Sequence, residues 1–125
     1  MITGIGVDMV EVRRMERWLD KSSLLNRYFN PQEITLAFSR KKSAAQTLAA
    51  RFAAKEAFGK ALGTGLAGIE LKDIIVINND KGKPDIKLTG TAKNEFEKSG
   101  ADKVHLSLTH ERENAIAMIV LEGAK

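Results

Sequence analysis

The sequence of 125 residues contains no cysteine. Disulfide bonds, thiolate metal sites and cysteine nucleophiles are therefore excluded. Long apolar runs are lacking too, because the longest uninterrupted one, Ala115–Leu121, is far too short to span a bilayer. The first residues, Met-Ile-Thr-Gly-Ile-Gly, have neither the cationic nor the apolar region of a signal peptide. We therefore expect a cytoplasmic protein without a membrane span.

Aromatic residues are scarce as well, with one Trp, one Tyr and five Phe. The formal net charge of +4 at pH 7 indicates anionic partners without naming one. The aromatic side chains do not alternate with basic ones as they do in surfaces that stack nucleic-acid bases. No zinc-finger, RNA-recognition or basic-zipper pattern occurs either. We expect no nucleic-acid partner, whereas an acidic protein or a phosphorylated cofactor fits the charge.

The length predicts a single domain that spans residues 1–125. Hydrophobic periodicity and turn residues predict the order β-α-α-α-β-β-α-β-β, which leaves little room for parallel crossovers. We therefore expect an α+β fold with an antiparallel sheet packed on a long central helix. The last strand is apolar on both faces and is predicted to be central and buried. The predicted elements lie at 3–10, from 11 onward, and at 24–28, 31–39, 43–62, 73–78, 85–88, 91–99, 104–109 and 114–121.

The first predicted strand contains a carboxylate after two glycines. Gly4, Gly6 and Asp8 alternate onto one face of this strand. The glycines allow a helix or a ligand to approach that face closely. Asp8 is either a cap for the helix that follows or a carboxylate of a functional site, and the residues alone leave both interpretations open.

The long helix carries the most informative pattern in the chain. On a helical projection at about 100° per residue, Arg51 and Lys55 lie near 0° and 40°, and Glu56 and Lys60 near 140° and 180°. Alanines on the opposite side permit close packing. Three cations around one carboxylate are suited to binding a polyanion together with a metal ion. The alternative is a solvated helix face with an ion pair between Glu56 and Lys60.

This helix is predicted to end at Gly63-Thr64-Gly65, where glycines can adopt positive φ and let a ligand approach the backbone. Two histidines follow later in the chain. His110 lies at a strand end facing a turn, a position where ligands are often bound, whereas His105 within the strand is interpreted as structural.

A basic face follows the first strand. Arg13, Arg14 and Arg17 lie on one side of the helix that begins near residue 11. Such a face is either simply solvated or suited to an acidic helix of a partner protein.

Five segments together resemble a known family: Gly4-Ile-Gly-Val-Asp8, Phe29-Asn-Pro-Gln-Glu33, residues 51–65, Gly82-Lys-Pro84 and His105-Leu-Ser-Leu-Thr-His110. The chain resembles the holo-acyl-carrier-protein synthases, which are short bacterial-type 4′-phosphopantetheinyl transferases. The resemblance extends over the whole chain, with the motifs in the same order and at the same spacing.

The resemblance implies an Mg²⁺-dependent reaction that supports fatty acid biosynthesis. A serine hydroxyl of apo-acyl carrier protein attacks the β-phosphorus of coenzyme A, accepts 4′-phosphopantetheine and releases adenosine 3′,5′-bisphosphate. The implied metal ligands are Asp8 and Glu56, and Lys60 joins them as a catalytic residue that contacts the diphosphate. The base that deprotonates the serine is either Glu56 or a water on the metal ion.

The resemblance also implies binding residues and partners. Arg13, Arg14 and Arg17 are the implied docking residues for the acidic carrier protein. The implied assembly is a homotrimer with its active sites at subunit interfaces. The alternative function is a small basic RNA- or ribosome-binding module, which leaves Asp8 and Glu56 unexplained because carboxylates repel a nucleic-acid backbone. The implied coenzyme A-binding residues are Arg51, Lys55, Lys60, Gly63, Thr64, Gly65, Lys83, Pro84, Thr109 and His110.

Overall fold

The computed structural model describes residues 1–124 and has an α+β architecture. Five strands and five α-helices follow one another, and the order differs from the predicted one by one helix: Ser22–Tyr28 form a helix of their own, so four helices and not three precede the second strand. Short 3₁₀ turns lie before the long helix and before the second strand. Their bounds are β1 Ile2–Glu11, α1 Val12–Glu16, α2 Ser22–Tyr28, α3 Pro31–Ser39, α4 Ala44–Leu62, β2 Ile74–Asn78, β3 Pro84–Leu88, α5 Gly90–Lys98, β4 Ala101–His110 and β5 Asn114–Gly123.

The strands form two antiparallel sheets. Three of them pair in the order β1–β5–β4, and β2 pairs with β3 as a separate hairpin. Helix α4 packs on one face of the three-stranded sheet, chiefly against β1 and β5. The prediction of an antiparallel sheet packed on a long central helix is confirmed, and so is the central position of the last strand.

Glycines in β1 determine how closely α4 approaches the sheet. A Cβ atom on Gly4 would lie 1.9 Å from the carbonyl oxygen of Ala61, and one on Gly6 would lie 2.0 Å from that of Ala57. Only glycine fits at these positions, and the alanines of α4 keep the helix side of the contact equally small. The predicted close approach of a helix to this strand is confirmed.

Helix α3 begins as its sequence predicts. Asn30 Oδ1 accepts a hydrogen bond from Gln32 N at 3.0 Å, and Asn30 N donates to Glu33 Oε1 at 2.9 Å. With Pro31 as the first helical residue, this is a complete capping box. Glu33 is also buried, which the capping pattern does not predict.

Helix α1 is shorter than its apolar spacing predicts, because it ends at Glu16. Trp18 N donates to Met15 O and Lys21 N donates to Trp18 O, both at 2.9 Å, so the chain continues as tight turns. Trp18 still packs inward: its ring is stacked 5.4 Å from that of Tyr28 and meets Phe52 edge-on at 5.5 Å.

The face of the three-stranded sheet that points away from α4, here called the outer face, is exposed, and the side chains that β1 and β5 present on it are mostly apolar. The prediction that β5 is buried on both sides therefore holds only for the side that α4 covers. Among residues 1–124, no helix combines the length and the apolar character needed to cross a bilayer. The large side chains of the outer face are 37–62% exposed, and they are Ile5, Val7, Met9, Ile116 and Met118.

Candidate active site

Two acidic side chains and a lysine meet between β1 and α4, and we call this cluster the carboxylate site. The alternation of β1 directs Asp8 toward α4, in line with Gly6. Lys60 Nζ lies 2.9 Å from Asp8 Oδ1 and donates to Val7 O at 3.1 Å. Asp8 is therefore not a helix cap, since α1 is preceded by Glu11 as its N-cap residue.

Glu56 completes the carboxylate site. Within residues 1–124 Lys60 forms an ion pair with Asp8 and not with Glu56, so the alternative of a solvated i, i+4 pair is wrong. Burial raises the pKa of Glu56, and the negative charge of Asp8 raises it further, while Arg14 and Lys60 oppose both effects. A carboxylate in this state accepts a proton more readily than an ordinary glutamate.

The chemistry of this site suits a hard divalent cation. Two carboxylates close enough to repel each other are stabilised by a cation, and oxygen ligands are those that Mg²⁺ prefers. No cluster of three or more histidine, aspartate or glutamate side chains that could hold a metal ion occurs among the described residues. Among the described residues, a metal ion here would therefore have Asp8 and Glu56 as its carboxylate ligands, with substrate or water oxygens completing its shell.

A second site surrounds Arg51, and we call it the arginine pocket. It encloses about 190 Å³. Arg51 is only 3% exposed, and its Nε and Nη2 atoms have no hydrogen-bond partner among residues 1–124. Unused donors on a buried guanidinium are costly, and a phosphate would satisfy both. The pocket is lined by Arg40, Thr47, Ala50, Arg51, Asn78, Gly82, Pro84, Leu108 and His110.

Three polar residues of this pocket, Arg40, Thr47 and Asn78, were not predicted from the sequence. Thr47 lies one helical turn before Arg51 on the same face of α4, so the i, i+4 spacing is a signal that could have identified it. Arg40 Nη1 contacts Thr47 Oγ1 at 3.5 Å. Burial of Arg51 lowers its pKa most, and the nearby positive charge of Arg40 lowers it further, while Glu33 opposes the shift. Asn78 carries no comparable signal, because its place depends on how the β2–β3 hairpin folds back.

Lys55 does not belong to either site. It is completely buried, and its ammonium donates to Glu33 Oε1 at 2.8 Å, to Leu71 O at 2.9 Å and to Ile74 O. An ammonium has three hydrogens to donate, and all three are used. Burial lowers the pKa of Lys55, although Glu33 opposes the shift. The prediction that Lys55 binds a coenzyme A phosphate does not fit this geometry and is corrected.

The carboxylate site and the arginine pocket lie on opposite sides of α4. Asp8 is on β1, one edge of the sheet, while His110 is on β4, the other edge, with β5 between them. Strands are spaced about 4.8 Å apart, so the two edges are about 10 Å apart, and the body of α4 stands between the side chains. The two sites therefore cannot contact the same small group within one chain.

The remaining predicted ligand residues are divided between these regions. Gly63 and Gly65 have φ of 83° and 70°, as predicted, and a Cβ atom on either would meet nothing within 4 Å. With Thr64 they follow the C-terminal end of α4, where Gly63 N donates to Lys60 O and Gly65 N donates to Gly59 O, both at 3.1 Å. Lys83 is exposed in the loop between Gly82 and Pro84.

The two histidines and Thr109 follow the alternation of β4. His110 lines the arginine pocket, whereas Thr109 pairs with Ile116 and lies on the outer face. Both residues border a second cavity of about 290 Å³ near Met9. His105 is exposed on the outer face and bonds to Glu122, whose pKa this hydrogen bond lowers.

The three arginines of the predicted docking face are all exposed but differ in their surroundings. The Arg14 guanidinium lies 4.8 Å from the ring centroid of Phe52 and 5.5 Å from that of Trp18. Such contacts are worth about 0.5–1 kcal/mol at exposed sites and hold Arg14 beside Glu56. Arg13 instead lines a surface cleft with acidic neighbours, and Arg17 follows the last turn of α1.

Comparison with known proteins gives consistent matches over the whole chain. A family model described as the 4′-phosphopantetheinyl transferase superfamily matches residues 4–119. The holo-[acyl-carrier-protein] synthase of Treponema denticola is 54% identical over 123 residues, which are 98% of this chain and 100% of that protein. The crystal structure of a holo-(acyl-carrier-protein) synthase from Bacillus anthracis in complex with CoA (3′,5′-ADP) matches with a TM-score of 0.82 and 39% identity, covering 99% of both chains. That of holo-[acyl-carrier-protein] synthase from Neisseria meningitidis matches with a TM-score of 0.86 and 34% identity, covering 98% of this chain and 99% of that one.

Proposed function

The chain belongs to the 4′-phosphopantetheinyl transferase superfamily, and we propose that it transfers 4′-phosphopantetheine from coenzyme A to a serine of apo-acyl carrier protein, in support of fatty acid biosynthesis. The observation that carries this proposal is the match to holo-acyl-carrier-protein synthases along the whole chain. An RNA- or ribosome-binding module gains no support from these relatives. The cytoplasmic location and the lack of a nucleic-acid partner stay predictions of the sequence.

For the chemical step, we propose that Asp8 and Glu56 hold Mg²⁺. The bound ion would neutralise charge on the diphosphate oxygens of coenzyme A. The serine oxygen forms a bond to the β-phosphorus, and the bond from that phosphorus to the bridging oxygen breaks. The hydroxyl proton would pass either to Glu56 or to a water on the metal ion. Lys60 stabilises the departing adenosine 3′,5′-bisphosphate, because its ammonium already lies at this site.

The arginine pocket is the proposed site for a further phosphate of coenzyme A. Arg51 supplies two unused donors inside the pocket, and His110 and the 82–84 loop form other parts of its wall. A planar guanidinium is well suited to phosphate because it can donate two parallel hydrogen bonds.

We propose that the active enzyme is a homotrimer. The outer face exposes contiguous apolar side chains, and such a surface is typical of a contact between subunits. A neighbouring subunit would also bring its arginine pocket to the carboxylate site, which the two sites cannot achieve within one chain. The number of subunits rests on the resemblance to the family.

The coenzyme A proposal is tested by thermal unfolding with ligands. Coenzyme A at about 100 times its Kd should raise Tm by more than about 5 °C when Mg²⁺ is present, because binding to the folded state alone adds to its stability. The gain should shrink when Mg²⁺ is replaced by a chelator. A Tm that is the same with and without coenzyme A and Mg²⁺ would contradict the proposal.

Carrier docking is tested by reversing the charge of Arg14. Arg14→Glu should raise KM for the carrier protein by about tenfold or more, because interface charges act on encounter and register. KM for coenzyme A should rise by a smaller factor, since Arg14 also lies beside Glu56. The salt dependence of the carrier KM should also become flatter. Lys93→Glu on α5 is a matched control with the same charge change on an exposed helix. If both variants have the wild-type carrier KM at low salt, Arg14 belongs to a solvated surface.

A further inference from the structure

A buried ion pair links four segments of the chain next to the arginine pocket. The Lys55 ammonium and the Glu33 carboxylate are 2.8 Å apart, and their side chains are 0% and 1% exposed. Glu33 Oε2 accepts a hydrogen bond from Val76 N at 3.1 Å, and its Oε1 accepts one from Asn30 N at 2.9 Å. Because Lys55 also donates to Leu71 O and Ile74 O, the pair joins α3, α4, the 3₁₀ turn at 71–73 and β2.

The Lys55–Glu33 pair binds strand β2 of the β2–β3 hairpin to helices α3 and α4 through hydrogen bonds. This hairpin is a sheet of its own, so within residues 1–124 no strand of the three-stranded sheet forms backbone hydrogen bonds with it as a ladder. Its far end supplies one wall of the arginine pocket, with Asn78, Gly82 and Pro84, while α4 supplies the facing wall with Thr47 and Arg51. The separation of the two walls therefore depends on where β2 is held against α4.

A buried ion pair adds little to the stability of the fold compared with an apolar pair of similar volume. Taking two charges out of water costs several kcal/mol each, and a well-packed apolar pair of similar volume is often as stable or more so. An ion pair with directed hydrogen bonds instead selects one arrangement of the segments it joins. Lys55 lies one helical turn after Arg51, so the arrangement it selects is that of the adjacent pocket.

We propose that Lys55 and Glu33 are positioning residues of the phosphate-binding pocket: they hold the β2–β3 hairpin at the distance from α4 that lets Arg51 and the hairpin loop contact one anion. This inference rests on the proposed binding of coenzyme A in the arginine pocket. Neither residue touches the ligand, and both act through the position of the hairpin.

Glu33→Gln changes the affinity for an anion in opposite directions according to whether Glu33 acts by positioning or by its charge alone. Glu33 is the negative group that acts on the buried Arg51 guanidinium. By charge alone, Glu33→Gln would strengthen anion binding, because it removes a negative charge near the pocket. If Glu33 acts by positioning the hairpin, the same substitution weakens anion binding. The amide of Gln cannot accept hydrogen bonds from Lys55, Val76 and Asn30 as the carboxylate does.

The experiment measures binding of adenosine 3′,5′-bisphosphate by titration calorimetry to the wild type, to Glu33→Gln and to the double variant Glu33→Leu/Lys55→Met. The double variant replaces both charges by apolar groups and guards against loss of the fold through one unpaired buried charge. Glu95→Leu/Lys98→Met is the matched control, because it removes a surface pair on α5 in which Lys98 is exposed and Glu95 is half-buried. Hydrogen exchange of amides 74–88 without ligand reports directly on the attachment of the hairpin.

We expect both pair variants to bind the nucleotide about tenfold more weakly, the scale on which lost supporting contacts act around a binding site. KM for coenzyme A should rise, KM for the carrier protein should not, and amides 74–88 should exchange faster, while the control matches the wild type. Tighter binding by Glu33→Gln, or wild-type binding and exchange in the double variant, overturns the inference. If the wild type itself does not bind the nucleotide, the proposed function fails, and unchanged exchange of amides 74–88 would then overturn the positioning role separately.

Discussion

Two inactive variants, Glu56→Ala and Arg51→Met, should regain activity when their subunits are mixed. Each variant damages one of the two sites that α4 separates within a chain. If an active site combines the carboxylate site of one subunit with the arginine pocket of the next, mixed assemblies contain some fully intact sites. Random mixing around a closed ring makes about a quarter of all sites intact, so turnover should return to about a quarter of the wild-type value.

The measurement is transferase activity at low coenzyme A concentration, after the two variants have been unfolded and refolded together. A mixture of Asp8→Ala with Glu56→Ala is the matched control and should stay inactive, because both substitutions damage the same site. Failure of the first mixture to regain activity would contradict an active site shared between subunits. A fully active monomer in sedimentation equilibrium would contradict it as well.

The second large effect concerns the carboxylates. Asp8→Asn and Glu56→Gln should each lower turnover by about a thousandfold, the upper range for losing one charge-stabilising group in an active site. Both substitutions keep the size of the side chain, so the fold should be retained. Glu97→Gln, on the exposed side of α5, is the control and should have wild-type turnover.

Turnover is measured at saturating coenzyme A and carrier protein across a range of Mg²⁺ concentrations, and circular dichroism checks the fold. We expect the residual activity of both carboxylate variants to require more Mg²⁺ than the wild type does. Near-wild-type turnover of either variant at the same Mg²⁺ requirement would mean that the ligand assignment is wrong.

The helical projection of residues 51–60 predicted which side chains share a direction but not what covers them. It separated Arg51 and Lys55 from Glu56 and Lys60, and the structure keeps this division. It did not predict that Lys55 would be buried while Arg51, one turn away, lines a pocket. That difference depends on α3 and on the β2–β3 hairpin, which are distant in sequence, so a local pattern cannot contain it.

Strand β5 illustrates a different limit. Its apolar residues on both faces predicted a central strand, and β5 does lie between β1 and β4. The same pattern did not show whether both faces of β5 are covered within one chain or whether one apolar face stays exposed. Ile116 and Met118 are partly exposed in the single chain, and periodicity is identical in both cases.

The contact between β1 and α4 has a consequence for the geometry of the carboxylates. Asp8 stands on the strand and Glu56 on the helix, so the distance between their backbones depends on how closely β1 and α4 pack. At Gly4 and Gly6 the layer between the two elements contains no side-chain atom from the strand, and the helix carbonyls of Ala57 and Ala61 occupy the space. The absence of side chains at Gly4 and Gly6 therefore allows β1 and α4 to approach this closely. How closely the backbones that carry the two carboxylates approach is therefore set two and four residues before Asp8, at positions that carry no functional group.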